Sequence, residues 1–335
     1  MKNLTFSIIG CQHPHIEIFI QEMLDMGHKC KGIYETENIK LTKIIADKFN
    51  IDIKNDLDSL LSQEVNVVGS AAINNRKVDI IEMCEKYRKD IMVDKPLVTN
   101  KEDFKRVKEV IDRNKIQVGM LLTERFRPSL YTLKQKVIKG ELGKIVSIEM
   151  RKPHLLKPFE RPKWHFSKEE CGGIVIDLFV HDFDLLRWIT NQEVETINGY
   201  VSKNILPEYP EFYDTANLQV LLNKGIIANL YADWHTPEKS WTWGDGRIFV
   251  VGTKGTAEIR AEGDPFVSNS EIMIQITHDK KAQIIELQTP SITITKDFLN
   301  RIEGKKAIIS HEDILNTTKA TLVSDDKVEV VNNIS

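Results

Sequence analysis

A carboxylate and an imidazole stand four positions apart in the most informative segment of the sequence. Asp177 and His181 follow the glycine pair Gly172-Gly173, and the residues between them are apolar. At that spacing in a helix, both side chains project from one face, one turn apart. A histidine beside a carboxylate in a partly desolvated cleft can exchange protons near neutral pH, so we expect acid–base chemistry here. The alternative is that Asp177 caps the helix and His181 is a surface histidine.

A second candidate site lies in the turn after the first apolar run. Gly10 ends that run, and Gln12, His13 and His15 follow it at the start of a helical pattern. A helix N-terminus at such a turn can bind the pyrophosphate of a dinucleotide through its N–H groups. Glu35 stands 35 − 10 = 25 positions after Gly10, near the spacing at which an acid binds ribose hydroxyls and disfavours a 2′-phosphate. The alternative is an ordinary strand–helix turn with a solvated Glu35.

A lysine between an acid and a proline forms the third candidate. Lys95 stands between Asp94 and Pro96, directly after the predicted strand at residues 90–93. The carboxyl ends of strands in a doubly wound sheet face the ligand crevice, so Lys95 is placed to contact a ligand. The alternative is an exposed lysine in a turn that leaves the strand.

Two weaker patterns concern substrates and metals. Between residues 151 and 163, basic side chains alternate with prolines, which fits either a frame for an anionic or polyhydroxylated substrate or a solvated loop. Cys11, His13 and His15 lie close together, but no second cluster has ligand spacing. We therefore expect no metal site.

The elements that must position these residues form two patterns. Through residue 122, short apolar runs alternate with segments of helical period, which predicts a doubly wound parallel sheet. From residue 123 onward, β-type segments follow one another with turn signals between them, which predicts an α+β domain with a large, mostly antiparallel open sheet. We expect an α/β fold class and two domains, residues 1–122 and 123–335. The open face of the second sheet predicts a homodimer or a homotetramer.

The predicted element bounds are as follows. In the first domain, strands are expected at residues 4–9, 31–35, 65–70, 90–93 and 116–121, and helices at 16–26, 39–49, 78–87 and 100–114. In the second domain, helices are expected at 129–139, 177–189 and 311–323, and strands at 144–150, 196–203, 212–222, 226–233, 247–251, 257–260, 271–277 and 282–287.

The composition excludes several classes of function. The chain has 335 residues, with 46 basic against 49 acidic side chains. This balance excludes bulk nucleic acid or an anionic membrane surface as an electrostatic partner. No apolar stretch reaches the roughly 18–20 residues of a transmembrane helix, and no signal peptide is visible. The 4 cysteines form no CxxC pair, so we expect reduced cysteines in a cytoplasmic protein.

Taken in order, the motifs resemble those of the glucose–fructose oxidoreductase/inositol dehydrogenase family (Gfo/Idh/MocA). The resemblance spans nearly the whole chain and rests on Asp94-Lys95-Pro96-Leu97, Arg125-Phe126-Arg127-Pro128, Gly140-Glu141-Leu142-Gly143-Lys144-Ile145, Gly172-Gly173 with Asp177, His181 and Asp184, and Gly252-Thr253-Lys254-Gly255-Thr256. Three features depart from the family's pattern. The glycine fingerprint keeps only Gly10. The usual Thr-Pro-Asn appears as Ala72-Ile73-Asn74, with Lys77 replacing the following histidine. Asp94 replaces the glutamate before Lys95.

The resemblance implies an N-terminal Rossmann domain that binds NAD or NADP and a second domain that binds substrate. It also implies a triad of Lys95, Asp177 and His181 around a single site, in which His181 exchanges a proton with a substrate hydroxyl or carbonyl. Lys95, joined to Pro96 by a cis peptide bond, is expected to contact both cofactor and substrate, and Asp177 to orient substrate or Lys95. The further expected contacts are Gly10, Gln12, His13, His15, Glu35 and Asn74 for the cofactor, and Arg125, Trp164 and His165 for the substrate.

We therefore expect an NAD(P)-dependent oxidoreductase that transfers a hydride between a nicotinamide and a hydroxyl or carbonyl of a polyol, sugar or sugar derivative. NAD is expected to be preferred because of Glu35. Two alternatives from the same resemblance are a nucleotide-binding sensor without turnover and an NAD-dependent glycoside hydrolase. Retention of the triad argues against the sensor, since a protein that only binds has no need of an acid–base group.

Overall fold

The computed structural model describes residues 3–332, and the chain forms two compact units. The first contains the residues up to Leu122 together with Glu169–Gly172 and Ile292–Lys319, and the second contains Thr123–Lys168, Gly173–Ser291 and the residues from Ala320 onward. The domain boundary expected at residues 122 and 123 stays a prediction. Two later segments of the chain return to the first unit.

The first unit is built on a parallel sheet of five strands in the order β2-β1-β3-β4-β5, which confirms the predicted sheet. Its strands are β1 (Thr5–Cys11), β2 (Lys29–Tyr34), β3 (Val67–Ala71), β4 (Asp90–Val93) and β5 (Val118–Met120). Its helices are α1 (Ile16–Asp25), α2 (Ile39–Phe49), α3 (Lys77–Tyr87), α4 (Lys101–Asp112) and, from the returning segment, α9 (Ile294–Ile302).

The sheet is buried because its central strands carry apolar side chains toward both faces. All five residues of β3 are buried, as expected for a strand covered on both sides. On one side Phe6 of β1 meets Phe19 of α1 edge to face, with ring centroids 5.7 Å apart. Because β1, β3 and β4 pair in parallel, their carboxyl ends lie along one edge of the sheet, and the candidate cofactor residues begin there.

The second unit is built on a sheet of nine strands in the order β13-β12-β11-β10-β6-β9-β8-β7-β14. Its strands are β6 (Ile145–Pro153), β7 (Val194–Lys203), β8 (Thr215–Leu222), β9 (Ile226–Asp233), β10 (Arg247–Gly252), β11 (Gly255–Arg260), β12 (Ile272–Thr277), β13 (Lys280–Ile284) and β14 (Glu329–Asn332). Neighbouring strands are antiparallel except for β6 with β9 and β7 with β14. The prediction of a large, mostly antiparallel sheet is confirmed.

The remaining helices are α5 (Pro128–Ile138), α6 (Lys168–Cys171), α7 (Gly173–Leu178), α8 (Val180–Thr190) and α10 (His311–Lys327). One sheet face of the second unit packs into the core: along β8, Ala216, Leu218, Val220 and Leu222 are buried, and the residues between them are exposed or half-buried. Within residues 3–332, no helix combines the length and the apolar character needed to cross a membrane.

The single helix predicted at residues 177–189 is wrong. The chain forms α7 up to Leu178 and α8 from Val180, with Phe179 between them at φ −77° and ψ −3°. That ψ lies far from the helical value of about −42°, so the helix is interrupted there. Asp177 and His181 therefore lie on two consecutive short helices.

Candidate active site

Lys95 lies in a turn directly after β4, and its peptide bond to Pro96 is cis, as expected. The turn is held from inside by Lys77, the first residue of α3, which is fully buried. Its Nζ donates to three consecutive carbonyl oxygens: Asp94 at 2.8 Å, Lys95 at 3.2 Å and Pro96 at 3.0 Å. One buried ammonium group thus fixes the backbone that carries Lys95.

Asn74 belongs to the same buried network. Its Oδ1 accepts from Nζ of Lys77 at 2.9 Å, and its Nδ2 donates to the carbonyl of Cys171 at 2.9 Å. Asn74 was predicted to bind the cofactor, and both ends of its amide contact the protein. Its place beside the Lys95 turn keeps it among the candidates.

Asp94 joins the Lys95 turn to the first strand–helix turn. Its Oδ2 lies 3.1 Å from Nδ1 of His13 and its Oδ1 lies 3.0 Å from Nδ1 of His15. Oδ1 also accepts from the backbone N–H of Lys95 at 2.8 Å. Burial alone would raise the pKa of Asp94, but the two imidazoles outweigh it and hold that pKa well below its usual range. Burial and the neighbouring His15 lower the pKa of His13 to about 4.

The strand–helix turn itself fits a dinucleotide. Gly10 has φ +83°, and a Cβ there would lie 2.5 Å from Cβ of Ala72, so the position requires glycine. The Nε2 group of Gln12 is buried and has no hydrogen-bond partner among residues 3–332. The N–H groups of the first turn of α1 donate to carbonyls within that turn at 3.0–3.4 Å. A buried amide donor without an acceptor suits an oxygen-rich ligand such as a pyrophosphate.

Glu35, directly after β2, faces the same turn. Its Oε2 accepts from the N–H of Cys11 at 2.7 Å, and its Oε1 accepts from the N–H groups of Thr36 at 2.8 Å and Glu37 at 2.9 Å. A carboxylate has about four acceptor positions, so one position remains for a ribose hydroxyl. Arg76 forms an ion pair with Glu37, which brings a cation close to a segment that has no arginine in sequence.

In the second unit, Asp177 and His181 are both 8% exposed. Asp177 belongs to α7, and His181 lies in the first turn of α8. The neighbouring Asp182 is also buried, and Nζ of Lys152 lies 3.6 Å from its Oδ2. Burial raises the pKa of Asp182, and Lys152 opposes that rise. Asp177 and His181, the acid–base pair predicted from the sequence, are therefore both buried. Asp182 directly follows His181 in the sequence and forms the ion pair with Lys152.

Aromatic side chains surround a histidine next to Asp177. A ring nitrogen of His165 lies within 4.8 Å of a carboxylate oxygen of Asp177. The His165 ring stands edge-on to Trp164 at 6.1 Å and to Trp234 at 5.1 Å between centroids. The second unit thus brings three predicted substrate residues together. Trp234 was not predicted as a site residue, although it begins a tryptophan-rich stretch of the sequence.

Arg125, an expected substrate contact, forms a buried ion pair with Asp184. Its guanidinium is 1% exposed and pairs with Asp184, which is fully buried, through Nη2 to Oδ1 at 2.6 Å and Nε to Oδ2 at 2.9 Å. A buried, bidentate pair of this kind satisfies the charge of both partners inside the protein. The expected substrate contact of Arg125 stays a prediction, and the pair with Asp184 holds its guanidinium in place.

The sequence analysis missed the roles of Lys77 and Asp94. Both were noted as departures from the family's motifs, and neither was given partners. The available signal was position, since Asp94 follows one parallel strand and His13 and His15 follow another, and carboxyl ends of parallel strands share one edge of a sheet.

Comparisons with known proteins decide the family. A model described as the oxidoreductase family, NAD-binding Rossmann fold, matches residues 4–121, and one described as the GFO/IDH/MocA C-terminal domain matches residues 130–258. The chain belongs to the GFO/IDH/MocA family. The expected resemblance is therefore confirmed, and the first unit of this family member contains the NAD-binding Rossmann domain.

Relatives of known sequence carry oxidoreductase names. The chain is 24% identical to the uncharacterized oxidoreductase YrbE of Bacillus subtilis over 266 residues, covering 76% of the chain and 73% of the relative. It is 28% identical to scyllo-inositol 2-dehydrogenase (NAD(+)) of Bacillus subtilis, covering 53% and 50%. It is 27% identical to myo-inositol 2-dehydrogenase of Thermotoga maritima, covering 57% and 55%. The matches thus span about half the length of these two inositol dehydrogenases.

Solved structures show the same fold. A protein of Erwinia carotovora atroseptica superposes with a TM-score of 0.89 at 23% identity, covering 98% of this chain and 100% of that one. An aldose-aldose oxidoreductase of Caulobacter crescentus, complexed with glycerol, gives 0.79 at 17% identity, covering 97% and 98%. An oxidoreductase of Agrobacterium radiobacter, in complex with NAD+, L-tartaric acid and magnesium, gives 0.78 at 17% identity, covering 97% and 96%. At these identities the likeness establishes the fold alone.

Proposed function

We propose that the protein is an NAD-dependent dehydrogenase that oxidises a hydroxyl group of a polyol, sugar or sugar derivative, or reduces the matching carbonyl. The observation that carries the proposal is the match of both family domains in a chain that keeps Lys95, Asp177 and His181 at the family's motif positions. Relatives named as inositol dehydrogenases support the substrate class. An acid–base group retained in a chain that also carries an NAD-binding domain favours turnover over binding alone.

The side chains at the edge of the first sheet would hold the cofactor. Gln12 offers a buried donor toward the pyrophosphate, and Glu35 offers its remaining acceptor position to a ribose hydroxyl. NAD is preferred over NADP in this proposal, because a 2′-phosphate beside Glu35 meets like charge and Arg76 is already paired with Glu37. When bound, the nicotinamide supplies a hydride acceptor or donor.

The roles of the three polar residues follow from alcohol chemistry. His181 takes the proton from the substrate hydroxyl as the C–H hydride leaves, and returns it in the reverse direction. The ammonium group of Lys95 stabilises the negative charge that develops on the substrate oxygen. Asp177 orients the substrate or Lys95. In the second unit, His165 lies close to Asp177, and Trp164 packs edge-on against His165. The joint action of these residues is part of the proposal.

The experiment has a binding stage and a turnover stage. Thermal-shift titrations with NAD and NADP come first, since a ligand present at a hundredfold excess over its Kd adds about 2.7 kcal/mol to the stability of the folded state. A panel of polyols, sugars and sugar acids is then assayed by nicotinamide absorbance. Equal or tighter binding of NADP contradicts the cofactor preference, and binding of neither contradicts the proposal.

Two variants test the assigned roles once a substrate is found. His181→Ala should lower kcat by about 10²–10⁴ with cofactor binding unchanged. Lys95→Ala should impair both turnover and cofactor binding. His278→Ala is the matched control, because His278 is exposed at a hairpin of the second sheet and was not assigned to the site. A His181→Ala protein that turns over as fast as this control contradicts the acid–base role.

The oligomeric state belongs to the same proposal. On the open face of the large sheet, apolar side chains are exposed on several neighbouring strands: Val146, Tyr200, Ile227, Phe249 and Val251. Exposed apolar side chains on the sheet face opposite the core indicate that another protein surface covers that face. We propose a homodimer or homotetramer through this face, and a monomeric mass by light scattering at micromolar concentration contradicts it. The cytoplasmic location stays a prediction.

A further inference from the structure

Three potential metal ligands meet between the strand–helix turn and the Lys95 turn. Nδ1 of His13 lies 3.1 Å from Oδ2 of Asp94, and Nδ1 of His15 lies 3.0 Å from Oδ1. One ligand atom from each residue falls within 4.8 Å of the other two. The rings of His13 and His15 stand edge to face with centroids 4.2 Å apart. Two imidazole nitrogens thus lie close to one carboxylate.

The spacing matches a small divalent ion. Zinc binds histidine nitrogen and carboxylate oxygen at about 2.0–2.2 Å in a tetrahedral arrangement, which separates neighbouring ligand atoms by about 3.3–3.5 Å. The two imidazole nitrogens lie 3.0 and 3.1 Å from different oxygens of Asp94, and the three ligand atoms lie within 4.8 Å of one another, so small side-chain shifts bring them to these separations. Coordination then replaces the present contacts between the imidazoles and Asp94.

Access and ligand type also favour a transition metal. The side chain of Asp94 is 2% exposed, whereas those of His13 and His15 are 23% and 38% exposed. The carboxylate is thus fixed inside, and the imidazoles are half-buried with part of each ring accessible to water, which can complete the coordination. Two imidazoles with one carboxylate suit zinc, cobalt, nickel or copper better than magnesium or calcium, which prefer oxygen alone.

Two nearby positive groups weaken the attraction for a cation. Lys95, which carries an ammonium group, directly follows Asp94. The N-terminus of α1 carries a partial positive charge. We therefore expect an exchangeable site, and not one that the fold needs for its stability.

We propose that His13, His15 and Asp94 bind one divalent transition-metal ion, with zinc as the reference ion. All three residues belong to the first unit, and the inference does not depend on the proposed dehydrogenase reaction. No metal site was expected from the sequence, because Cys11, His13 and His15 lie close together without a second cluster at ligand spacing, and Asp94 lies 79 residues after His15.

The experiment uses the full chain after treatment with a chelator and removal of the chelator. Isothermal titration with zinc chloride at neutral pH, without dinucleotide, should give one ion per chain. His13→Ala and His15→Ala should each weaken zinc binding at least tenfold, and His278→Ala should leave it unchanged. Magnesium chloride should give no binding at the same concentrations. Zinc binding that is absent, or that is equal in the wild type and both site variants, overturns the proposal.

A spectroscopic measurement on the wild-type chain keeps the test independent of how well the variants fold. Cobalt(II) added to the metal-free protein should produce visible d–d absorption bands that saturate at one equivalent, and zinc should abolish them. Featureless cobalt spectra overturn the proposal. Failure of the dehydrogenase assays leaves both readouts intact, so the two proposals fail separately.

Discussion

Replacing Lys77 by methionine removes one buried ammonium group and keeps most of the side-chain volume. In the wild type this group donates to the carbonyls of Asp94, Lys95 and Pro96 and to Oδ1 of Asn74, at 2.8–3.2 Å. The variant leaves these four buried oxygens without that donor. The effect therefore measures how strongly the ammonium group holds the turn that carries Lys95.

The magnitude follows from two opposing contributions. An unpaired buried acceptor costs about 1–3 kcal/mol, and the three N–H groups of an ammonium satisfy at most three acceptors fully, so their loss would cost about 3–9 kcal/mol without relaxation. The variant also avoids burying a charge, which in real proteins costs several kcal/mol per ion. Because the second contribution offsets part of the first, we expect the free energy of unfolding to fall by about 3–5 kcal/mol.

Urea unfolding followed by far-UV circular dichroism measures this change. Lys86→Met is the matched control, because Lys86 lies on the same helix and is exposed, and its loss should stay within about 0.5 kcal/mol. Tryptophan fluorescence gives a second signal, since all 5 tryptophans follow residue 163 and precede residue 244, within the second unit. A Lys77→Met loss below about 1 kcal/mol, or a change confined to tryptophan fluorescence, would refute the reasoning.

Three further predictions concern stability, pH and assembly. Arg125→Ala should lower the unfolding free energy by about 3–5 kcal/mol in urea, because the Asp184 carboxylate stays buried after the Arg125 guanidinium is lost. Arg125→Met combined with Asp184→Leu should recover most of that loss, and no recovery would contradict the buried-pair argument. Burial lowers the pKa of His311 to about 4, below the value near 6.5 of an unfolded chain, so stability should fall between about pH 6.5 and pH 4 by at most about 1.4 kcal/mol per pH unit. His311→Gln should flatten this fall in pH-dependent urea titrations, whereas His278→Gln should not. Phe249→Asp should shift the light-scattering mass to that of a monomer, and an unchanged mass argues against assembly through the open sheet face.

Elements with strong local patterns were predicted closely. Helix α2 (Ile39–Phe49) and strands β4 (Asp90–Val93) and β9 (Ile226–Asp233) have the bounds expected from the sequence. In α2 the apolar spacing is helical and Asn38 caps the N-terminus by accepting from the N–H of Lys40. Such signals are local, so sequence alone identifies them.

Elements that depend on distant contacts were missed. Helix α9 (Ile294–Ile302) was not predicted, although Thr293 caps it and Phe298 and Leu299 are buried. The carboxylate of Asp297 in this helix accepts hydrogen bonds from the N–H groups of Ile308 and Ile309, at 2.6 and 3.0 Å. A helix of nine residues is stable mainly through tertiary packing, and the residues that supply this packing lie elsewhere in the chain.

The candidate site shows the same limit at the level of single side chains. The position of Lys95 could be predicted, because the end of a parallel strand is a local property with a known place in the fold. The partners of Asp94 could not, since β3 lies between β1 and β4 in the sheet and only side-chain reach decides whether His13 and His15 span that distance. Arg125 shows the same limit, because a family motif gave its place in the sequence but not its buried partner Asp184, 59 residues away.

The two departures from the family's motifs in this turn are best understood together. A neutral imidazole offers one N–H donor, whereas an ammonium group offers three, so Lys77 can serve three consecutive carbonyls where the histidine it replaces could not. On the other side of the same turn, the Asp94 carboxylate accepts from the N–H of Lys95 while contacting two imidazoles. Two charged groups thus hold different atoms of the turn. The fully buried ammonium group of Lys77 holds its carbonyl oxygens, and the carboxylate of Asp94, which faces the strand–helix turn, holds the N–H of Lys95. Changing either group should displace Lys95 through a different set of contacts, and for this reason Lys77 and Asp94 are separable by mutation although they support the same residue.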